Sequence, residues 1–142
     1  MRRCVFALIL ASGLSGGAGA QECRQPGIDL TQGAYLPPPA SGVISETFGP
    51  RQHPLLQIVK LHAGLDFDAV IGEPVTAVEA GVITFAARWQ DAGNVVRIGH
   101  GGGIETTYAH LHRFEVRAGD CVERGSLIGR VGTTGITTHP HL

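Results

Sequence analysis

The chain is poor in lysine, in long apolar runs and in helical periodicity, and each shortage excludes a class of protein. Its one lysine, Lys60, stands just before a histidine motif and not in a hairpin turn. This argues against a lipoyl- or biotin-carrier domain, because that chemistry needs an exposed lysine in a hairpin. A formal net charge of −1 at pH 7 supplies no basic surface for nucleic acid. No stretch repeats apolar residues at helical spacing over three turns, so we expect strands.

The first 20 residues have the pattern of a secretory signal peptide. Arg2 and Arg3 precede a short apolar run, and the small residues at 18–20 offer a cleavage site. The run is shorter than the roughly 20 residues of a membrane span, although a retained membrane anchor remains an alternative. We therefore expect an exported protein of the periplasm or cell envelope, with no stable membrane span after cleavage.

Cysteine is scarce, with three in the whole chain. Cleavage after residue 20 would remove Cys4 and leave Cys23 and Cys121. Two cysteines in an exported chain favour one disulfide, which would tie the N-terminal segment to the rest of the protein. Two separate thiols are the alternative, because the sequence does not show whether the Cα atoms lie close enough.

The length allows one domain. Residues 21–40 have the composition of a strap or Pro-rich linker, since Pro37, Pro38 and Pro39 favour an extended polyproline segment. Residues 41–142 form the domain. Short runs of Val, Ile, Thr and Phe alternate there with Gly and Asn turns, which predicts a single small all-β domain of twisted antiparallel sheets with Gly-rich turns. The expected strands are 43–48, 65–69, 75–77, 81–87, 94–100, 104–110, 114–116 and 126–131, with a hairpin turn at 100–103.

A histidine and a carboxylate, His62 and Asp66, stand four residues apart. Gly64 and the segment after it favour a loop that enters a strand, with His62 in the loop. In that strand Leu65, Phe67 and Ala69 share the core face, and Asp66 lies on the opposite face. Imidazole and carboxylate are zinc ligands, although such a spacing taken alone is weak evidence and favours a surface histidine and a solvated aspartate.

Two further histidine pairs follow. Period-two alternation places Thr106, Tyr108, His110 and His112 on one face of the strand at 104–110 and its continuation. That face presents a phenol and two imidazoles to water or to a groove. The alternative is that it is simply the solvent-exposed face of an antiparallel sheet. His139 and His141 flank Pro140 near the end of the sequence. Neutral imidazole is both a zinc ligand and a proton carrier near neutral pH, so either pair could serve a catalytic site.

From Ser45 to Leu142 the sequence resembles the lysostaphin/LytM-type zinc metallopeptidases, which are bacterial cell-wall endopeptidases. The matching segments occur in the order of the family and cover nearly the whole domain. They are Phe48-Gly-Pro-Arg-Gln-His-Pro54, His62-Ala-Gly-Leu-Asp-Phe67, Gly72-Glu-Pro-Val-Thr-Ala77, Gly81-Val-Ile83, Gly93-Asn-Val-Val96, Tyr108-Ala-His-Leu111, Gly125-Ser-Leu-Ile-Gly129, Thr134-Gly135 and Pro140-His-Leu142.

The resemblance implies roles for individual residues. His62 and Asp66 match the first two zinc ligands, and His110 and His141 match the two catalytic histidines. Tyr108 would line the substrate groove. The third zinc ligand would follow Leu142, and so would the last strand of the sheet. We expect the sequence to be a fragment of a longer reading frame. The alternative is that His139, which stands where the family has a small residue, replaces that ligand. The role of His53 stays open.

The implied function is zinc-dependent hydrolysis of peptide cross-links or stem peptides of bacterial peptidoglycan. Zinc would be the cofactor, peptidoglycan peptides the partner, and the protein a monomer. The alternative is a non-catalytic LytM-type module that binds the cell wall or activates a cell-wall amidase. Such modules lack the zinc ligands, whereas His62, Asp66, His110 and His141 are all present here.

Overall fold

The computed structural model describes residues 22–29, 36–52 and 57–142. The expected signal peptide at 1–20 and His53 lie outside these ranges. The described chain is all-β, as expected, apart from one 3-10 turn at Gln90–Ala92. No helix within these ranges is long and apolar enough to cross a membrane. The strands in chain order are β1 (Val43–Glu46), β2 (Gly49–Gln52), β3 (Val59–His62), β4 (Asp66–Asp68), β5 (Pro74–Thr76), β6 (Gly81–Trp89), β7 (Gly93–Gly101), β8 (Ile104–Tyr108), β9 (Arg113–Phe114), β10 (Cys121–Val122) and β11 (Leu127–Arg130).

The largest sheet has four antiparallel strands in the order β10-β6-β7-β8. β7 is its centre, and its side chains alternate between buried and half-buried positions, as a strand with one face on the core requires. The expected hairpin between β7 and β8 is confirmed. Gly101, Gly102 and Gly103 make its turn with φ of 86°, 61° and 78°, values that glycine adopts without steric cost.

Three smaller antiparallel sheets complete the fold, in the orders β5-β11-β9, β1-β4 and β2-β3. The sequence did not predict the hairpin of β2 and β3, because Gly49–Gln52 contains no β-branched or aromatic residue. Its exposed strands form a two-stranded sheet without a core face. One expectation is therefore wrong: His62 ends a strand and does not lie in a loop.

The core lies between the four-stranded and the three-stranded sheet. Its largest fully buried side chains include Ile83, Ile98, Leu111 and Ile128. Burying each aliphatic side chain of this kind stabilises the fold by about 1.5–3 kcal/mol relative to exposure. Phe67 of β4 and Leu142 belong to the same cluster, and their backbones exchange hydrogen bonds of 3.0 and 3.1 Å. The core therefore reaches to the C-terminal residues of the sequence.

The N-terminal segment packs on this domain. Cys23 forms a disulfide with Cys121 of β10, with their Cα atoms 5.1 Å apart. The amide of Gly27 donates to the carbonyl of His100 over 2.7 Å, and Ile28 is buried. Ala40 belongs to the core cluster. The strap is thus held by a covalent bond, by a backbone hydrogen bond and by apolar burial.

Two expected strand faces are wrong. β8 ends at Tyr108, so the alternation does not continue to His112, which is exposed. Tyr108 is itself buried in the core, with 3% of its surface exposed, and not on a wet face. Leu65 precedes β4 and is 48% exposed, whereas Phe67 is buried. Within β8 the face of Thr106 and Tyr108 is the one that turns to the core, and His112 and Leu65 lie outside the regular strands where the sequence pattern still alternates.

Candidate active site

His62 and Asp66 meet where β3 ends and β4 begins. The Nε2 atom of His62 lies 2.9 Å from Oδ1 of Asp66. On the other side of the ring, Nδ1 lies 2.9 Å from the backbone carbonyl of Thr47. A carbonyl only accepts hydrogen bonds, so Nδ1 carries the proton. In the neutral ring two acceptors, Nε2 and the carboxylate, then face each other, and this arrangement requires a proton or a cation between them.

His110 follows β8 in the left-handed region, with φ of 58°. Its amide donates to the carbonyl of Ala92 over 2.9 Å, and its Nδ1 lies 2.8 Å from the carbonyl of Thr134. Thr134 is fixed in turn, because its hydroxyl donates to the carbonyl of Leu111 and accepts from the amide of Asn94. The unusual backbone conformation is thus imposed by bonds to two other loops, and it directs the ring away from the sheet alternation.

His141 is held by backbone pairing with two elements. It forms isolated bridges with Asp68 of β4 and with Gly132. Its Nδ1 lies 2.9 Å from the carbonyl of His139, and its ring centroid lies 4.7 Å from that of His110. Only 7% of His141 is exposed. These backbone contacts therefore hold the side chain of His141 next to the ring of His110.

The three imidazoles share one arrangement. In His62, His110 and His141 the Nδ1 atom faces a backbone carbonyl, so Nε2 is left unprotonated in the neutral ring. Histidines that bind metals or act as bases are oriented in this way, with the second nitrogen held by an acceptor. All three rings and Asp66 line a cavity of about 320 Å³, the site cavity, together with Glu46, Arg51, Gln52, Ile136, Thr137, Thr138 and His139.

The donor set fits zinc through His62 and Asp66. Their facing acceptor atoms, the neutral imidazole nitrogen and the carboxylate oxygen, are the ligand types that zinc takes, and a cation between them would satisfy both. Within residues 22–29, 36–52 and 57–142, no group of three or more His, Cys, Asp or Glu side chains is placed to hold a metal ion. The described site thus offers two candidate ligands and two further imidazoles.

The surroundings keep His110 neutral. Burial lowers its pKa below the ordinary histidine value, and the nearby His141 acts in the same direction. The hydrogen bond to Thr134 and the charge of Asp66 oppose this shift without reversing it. A histidine with a lowered pKa is uncharged at neutral pH, so its Nε2 can accept a proton there.

Tyr108 is buried in the core beside the site, with 3% of its surface exposed. Its hydroxyl accepts a hydrogen bond from the amide of Val78 and lies 3.1 Å from the hydroxyl of Thr106, which contacts His100. Burial raises the pKa of the phenol. Tyr108 lines the floor of a mostly apolar cavity of about 670 Å³, the apolar cavity, which is bordered by residues 36–39 of the strap and by Phe67 and Leu142.

The structure shows contacts of two residues that the sequence did not predict. Arg51 of β2 lies 3.3 Å from Oδ2 of Asp66, and it had been noted only as one letter of a motif. His139, a possible replacement ligand, points its Nε2 at Oδ1 of Asp68 over 2.9 Å. Both contacts join residues from separate strands or loops, so only knowledge of the strand pairing could have found them.

The fold and these side chains define the class of protein. It is an all-β domain with a histidine–aspartate site of the kind that metallohydrolases use. Residues 60–142 match the family model described as Peptidase family M23. The chain belongs to this peptidase family.

Relatives and solved structures agree with this membership. The chain is 50% identical over 99 residues to the DD-carboxypeptidase/endopeptidase Mpg of Neisseria meningitidis and 43% identical over 100 residues to the peptidoglycan DD-endopeptidase ShyA of Vibrio cholerae. Each match covers 70% of this chain, which spans only 23% of the length of either relative.

Among solved structures, a zinc containing peptidase from Vibrio cholerae is 35% identical with a TM-score of 0.69, over 76% of this chain and 35% of that one. The catalytic domain of lysostaphin from Staphylococcus simulans is 32% identical with a TM-score of 0.65, over 70% of this chain and 75% of that one. The expected resemblance to lysostaphin-type peptidases is confirmed.

Proposed function

We propose that this protein is a zinc-dependent endopeptidase that hydrolyses peptide bonds of bacterial peptidoglycan, in the cell envelope after export, as a monomer. The observation that carries the proposal is the convergence of His62, Asp66, His110 and His141 on one cavity, with three imidazoles oriented alike. Relatives named as peptidoglycan DD-endopeptidases support the choice of substrate.

The zinc would be held by His62 and Asp66. When bound, zinc acts as a Lewis acid, which lowers the pKa of a water and polarises a peptide carbonyl. The carbonyl of Thr47 holds the proton of His62 on Nδ1 and so keeps Nε2 free for the metal. Asp66 is buried to 8% exposure, which strengthens its attraction for a cation relative to a solvated carboxylate.

The two other imidazoles would move protons. His110, kept neutral by burial, accepts at Nε2 the proton of the attacking water and returns it to the amine that leaves. His141, whose ring lies 4.7 Å from that of His110, presents an unprotonated Nε2 in its neutral form and accepts a hydrogen bond from the attacking water. Their backbone-held Nδ1 atoms keep both rings in place during these transfers.

The cavities around the site suit an extended peptide. His62 and His110 line the site cavity, the apolar cavity and a third cavity of about 230 Å³ that includes Arg51 and Lys60. A peptide that runs between these cavities passes both imidazoles. Tyr108 contributes to this groove as part of its floor, with its hydroxyl turned into the core.

The experiment measures zinc content and peptide cleavage in the same preparation. We expect about one zinc per chain after dialysis and release of peptides from purified peptidoglycan. His62→Ala should lose both the zinc and the cleavage. His112→Ala is the matched control, because His112 is exposed and does not line the site cavity. Zinc-free protein, or cleavage that survives His62→Ala, contradicts the proposal. Binding to peptidoglycan without cleavage would indicate a non-catalytic cell-wall module.

A further inference from the structure

Two cations occupy directly paired positions on the hairpin beside the site. Arg51 of β2 and Lys60 of β3 are cross-strand partners, which places their side chains on one face of the hairpin with Cβ atoms about 5 Å apart. Like charges in this position destabilise a hairpin. Folding alone therefore does not account for the pair, which suggests a role in binding an anion.

The pair borders the reacting groups. Arg51 and Lys60 line the third cavity, the basic cavity of about 230 Å³, together with His62 and His110. The only acidic side chain on that cavity's lining, within the part of the chain that the structure describes, is Asp91. A ligand in the basic cavity thus lies next to both imidazoles, and the two cations face it from one wall.

Two carboxylates orient the guanidinium of Arg51 without forming strong hydrogen bonds to it. One terminal nitrogen lies 3.5 Å from Glu46 and the other 3.3 Å from Asp66. Both distances exceed the 2.7–2.9 Å or so of a strong charge-assisted hydrogen bond. A guanidinium has five N–H donors in a planar fork, so Arg51 retains donors for a planar anion while the two carboxylates hold its position.

Lys60 has its charge free. Its side chain is exposed, and within residues 22–29, 36–52 and 57–142 its ammonium has no hydrogen-bond or ion-pair partner. It is also the single lysine of the sequence. An ammonium and a fork of N–H donors on one wall form a complementary pair for a carboxylate.

We propose that Arg51 and Lys60 form a subsite for a free carboxylate of the substrate, adjacent to the peptide bond that is cut. This inference rests on the proposed function, because the substrate class is a peptide of peptidoglycan, and such peptides carry free carboxylates. The subsite makes the enzyme select peptides in which the residue next to the cleaved bond keeps its carboxylate over those in which it is a carboxamide.

The test compares two synthetic cross-linked peptides that differ only in a carboxylate or a carboxamide next to the bond. Isothermal titration calorimetry of the metal-free protein, which does not hydrolyse the peptides, measures both dissociation constants. We expect the carboxylate peptide to bind about tenfold more tightly, the gain of one charge-assisted hydrogen bond. Lys60→Gln should bring this ratio near one. Arg117→Gln, which removes one positive charge at an exposed residue that does not line the basic cavity, should leave the ratio unchanged.

Lys60→Gln is the preferred variant because Arg51 also contacts Asp66, so that a change at Arg51 would disturb the metal site. Equal affinity of the wild-type protein for the two peptides overturns the inference, and so does an equal loss of affinity for both peptides in Lys60→Gln. The proposed function is tested by a separate measurement, the cleavage of the two peptides by the zinc-supplemented protein. If neither peptide is cleaved, the proposed function fails, and the ratio of the two dissociation constants does not depend on that result.

Discussion

At the scale of single residues, the partner of each ring nitrogen decides what a histidine can do. His100 is fully buried and uses both nitrogens, one 2.8 Å from the carbonyl of Ala80 and the other 2.8 Å from the hydroxyl of Thr106. It is a satisfied core residue that joins two strands. His62, His110 and His141 engage Nδ1 with carbonyls instead, which leaves Nε2 unprotonated in the neutral ring. Residue type alone does not separate these two uses.

The lowered pKa of His110 predicts a titration midpoint below about 6.5, the value for an unfolded chain. The unfolded state therefore binds more protons than the folded state below pH 6.5, and the free energy of unfolding rises with pH through that interval. Above pH 6.5 both states are neutral at this group and its contribution is constant. Nuclear magnetic resonance of ¹⁵N-labelled imidazoles in the metal-free protein measures the midpoint. A value above 6.5 for His110 contradicts the burial argument.

At the scale of elements, a turn positions the loop that carries His110. The 3-10 turn at Gln90–Ala92 ends at Gly93, with φ of 68° and ψ of −134°. A Cβ atom there would collide with the backbone of Thr134, whose carbonyl holds Nδ1 of His110. The close approach of two loops, and hence the orientation of His110, requires the absence of a side chain at this position.

Gly93→Ala should destabilise the protein by about 2–4 kcal/mol, since backbone strain adds to the displacement of Thr134. Gly102→Ala is the matched control. It also has a positive φ, but its Cβ would meet no atom within 4 Å, so we expect a loss of about 1–2 kcal/mol. Urea unfolding of both variants measures the difference. Equal losses would mean that the contact with Thr134 does not matter.

At the scale of the whole molecule, contacts from both ends of the described chain stabilise the fold. The disulfide joins Cys23 to Cys121 of β10, 98 positions apart in the sequence. His141 and Leu142 pair with β4 at the other end. Elements distant in sequence therefore meet around a small core, so the disulfide contributes a large share of the stability.

Replacing both cysteines, Cys23→Ser with Cys121→Ser, should lower the free energy of unfolding by about 2–4 kcal/mol, because the unfolded chain regains freedom over a long loop. Urea unfolding with and without reductant measures this loss. The reductant should lower the wild-type protein to the level of the double variant and leave the variant unchanged. An unchanged wild-type midpoint under reducing conditions would contradict a stabilising disulfide.

Zinc should raise the melting temperature because it binds the folded site and not the unfolded chain. At a free zinc concentration of about 100 times the dissociation constant, the gain is about 2.7 kcal/mol. Calorimetric scans with zinc and with EDTA measure it. His62→Ala should show no zinc-dependent shift, whereas His112→Ala should keep it. A shift of equal size in His62→Ala would place the metal elsewhere in the protein.

Much of the fold and part of the site follow from local pattern. The strands at 81–87 and 94–100 and the glycine hairpin between β7 and β8 were predicted because alternation and turn chemistry act over a few residues. The hairpin of β2 and β3 was missed because its residues have no strand signal and gain their pairing from each other. The prediction that His62 lies in a loop was wrong for the same reason.

The sequence by itself determined the all-β class, the family and the set of four residues for the site, because these depend on residue types in a fixed order. Only the tertiary structure decided how those residues act together. The left-handed backbone at His110, the pairing of His141 with β4 and the contact of Arg51 with Asp66 join segments far apart in sequence. Local periodicity carries no information on such contacts, since packing and hydrogen bonds across the whole chain select them.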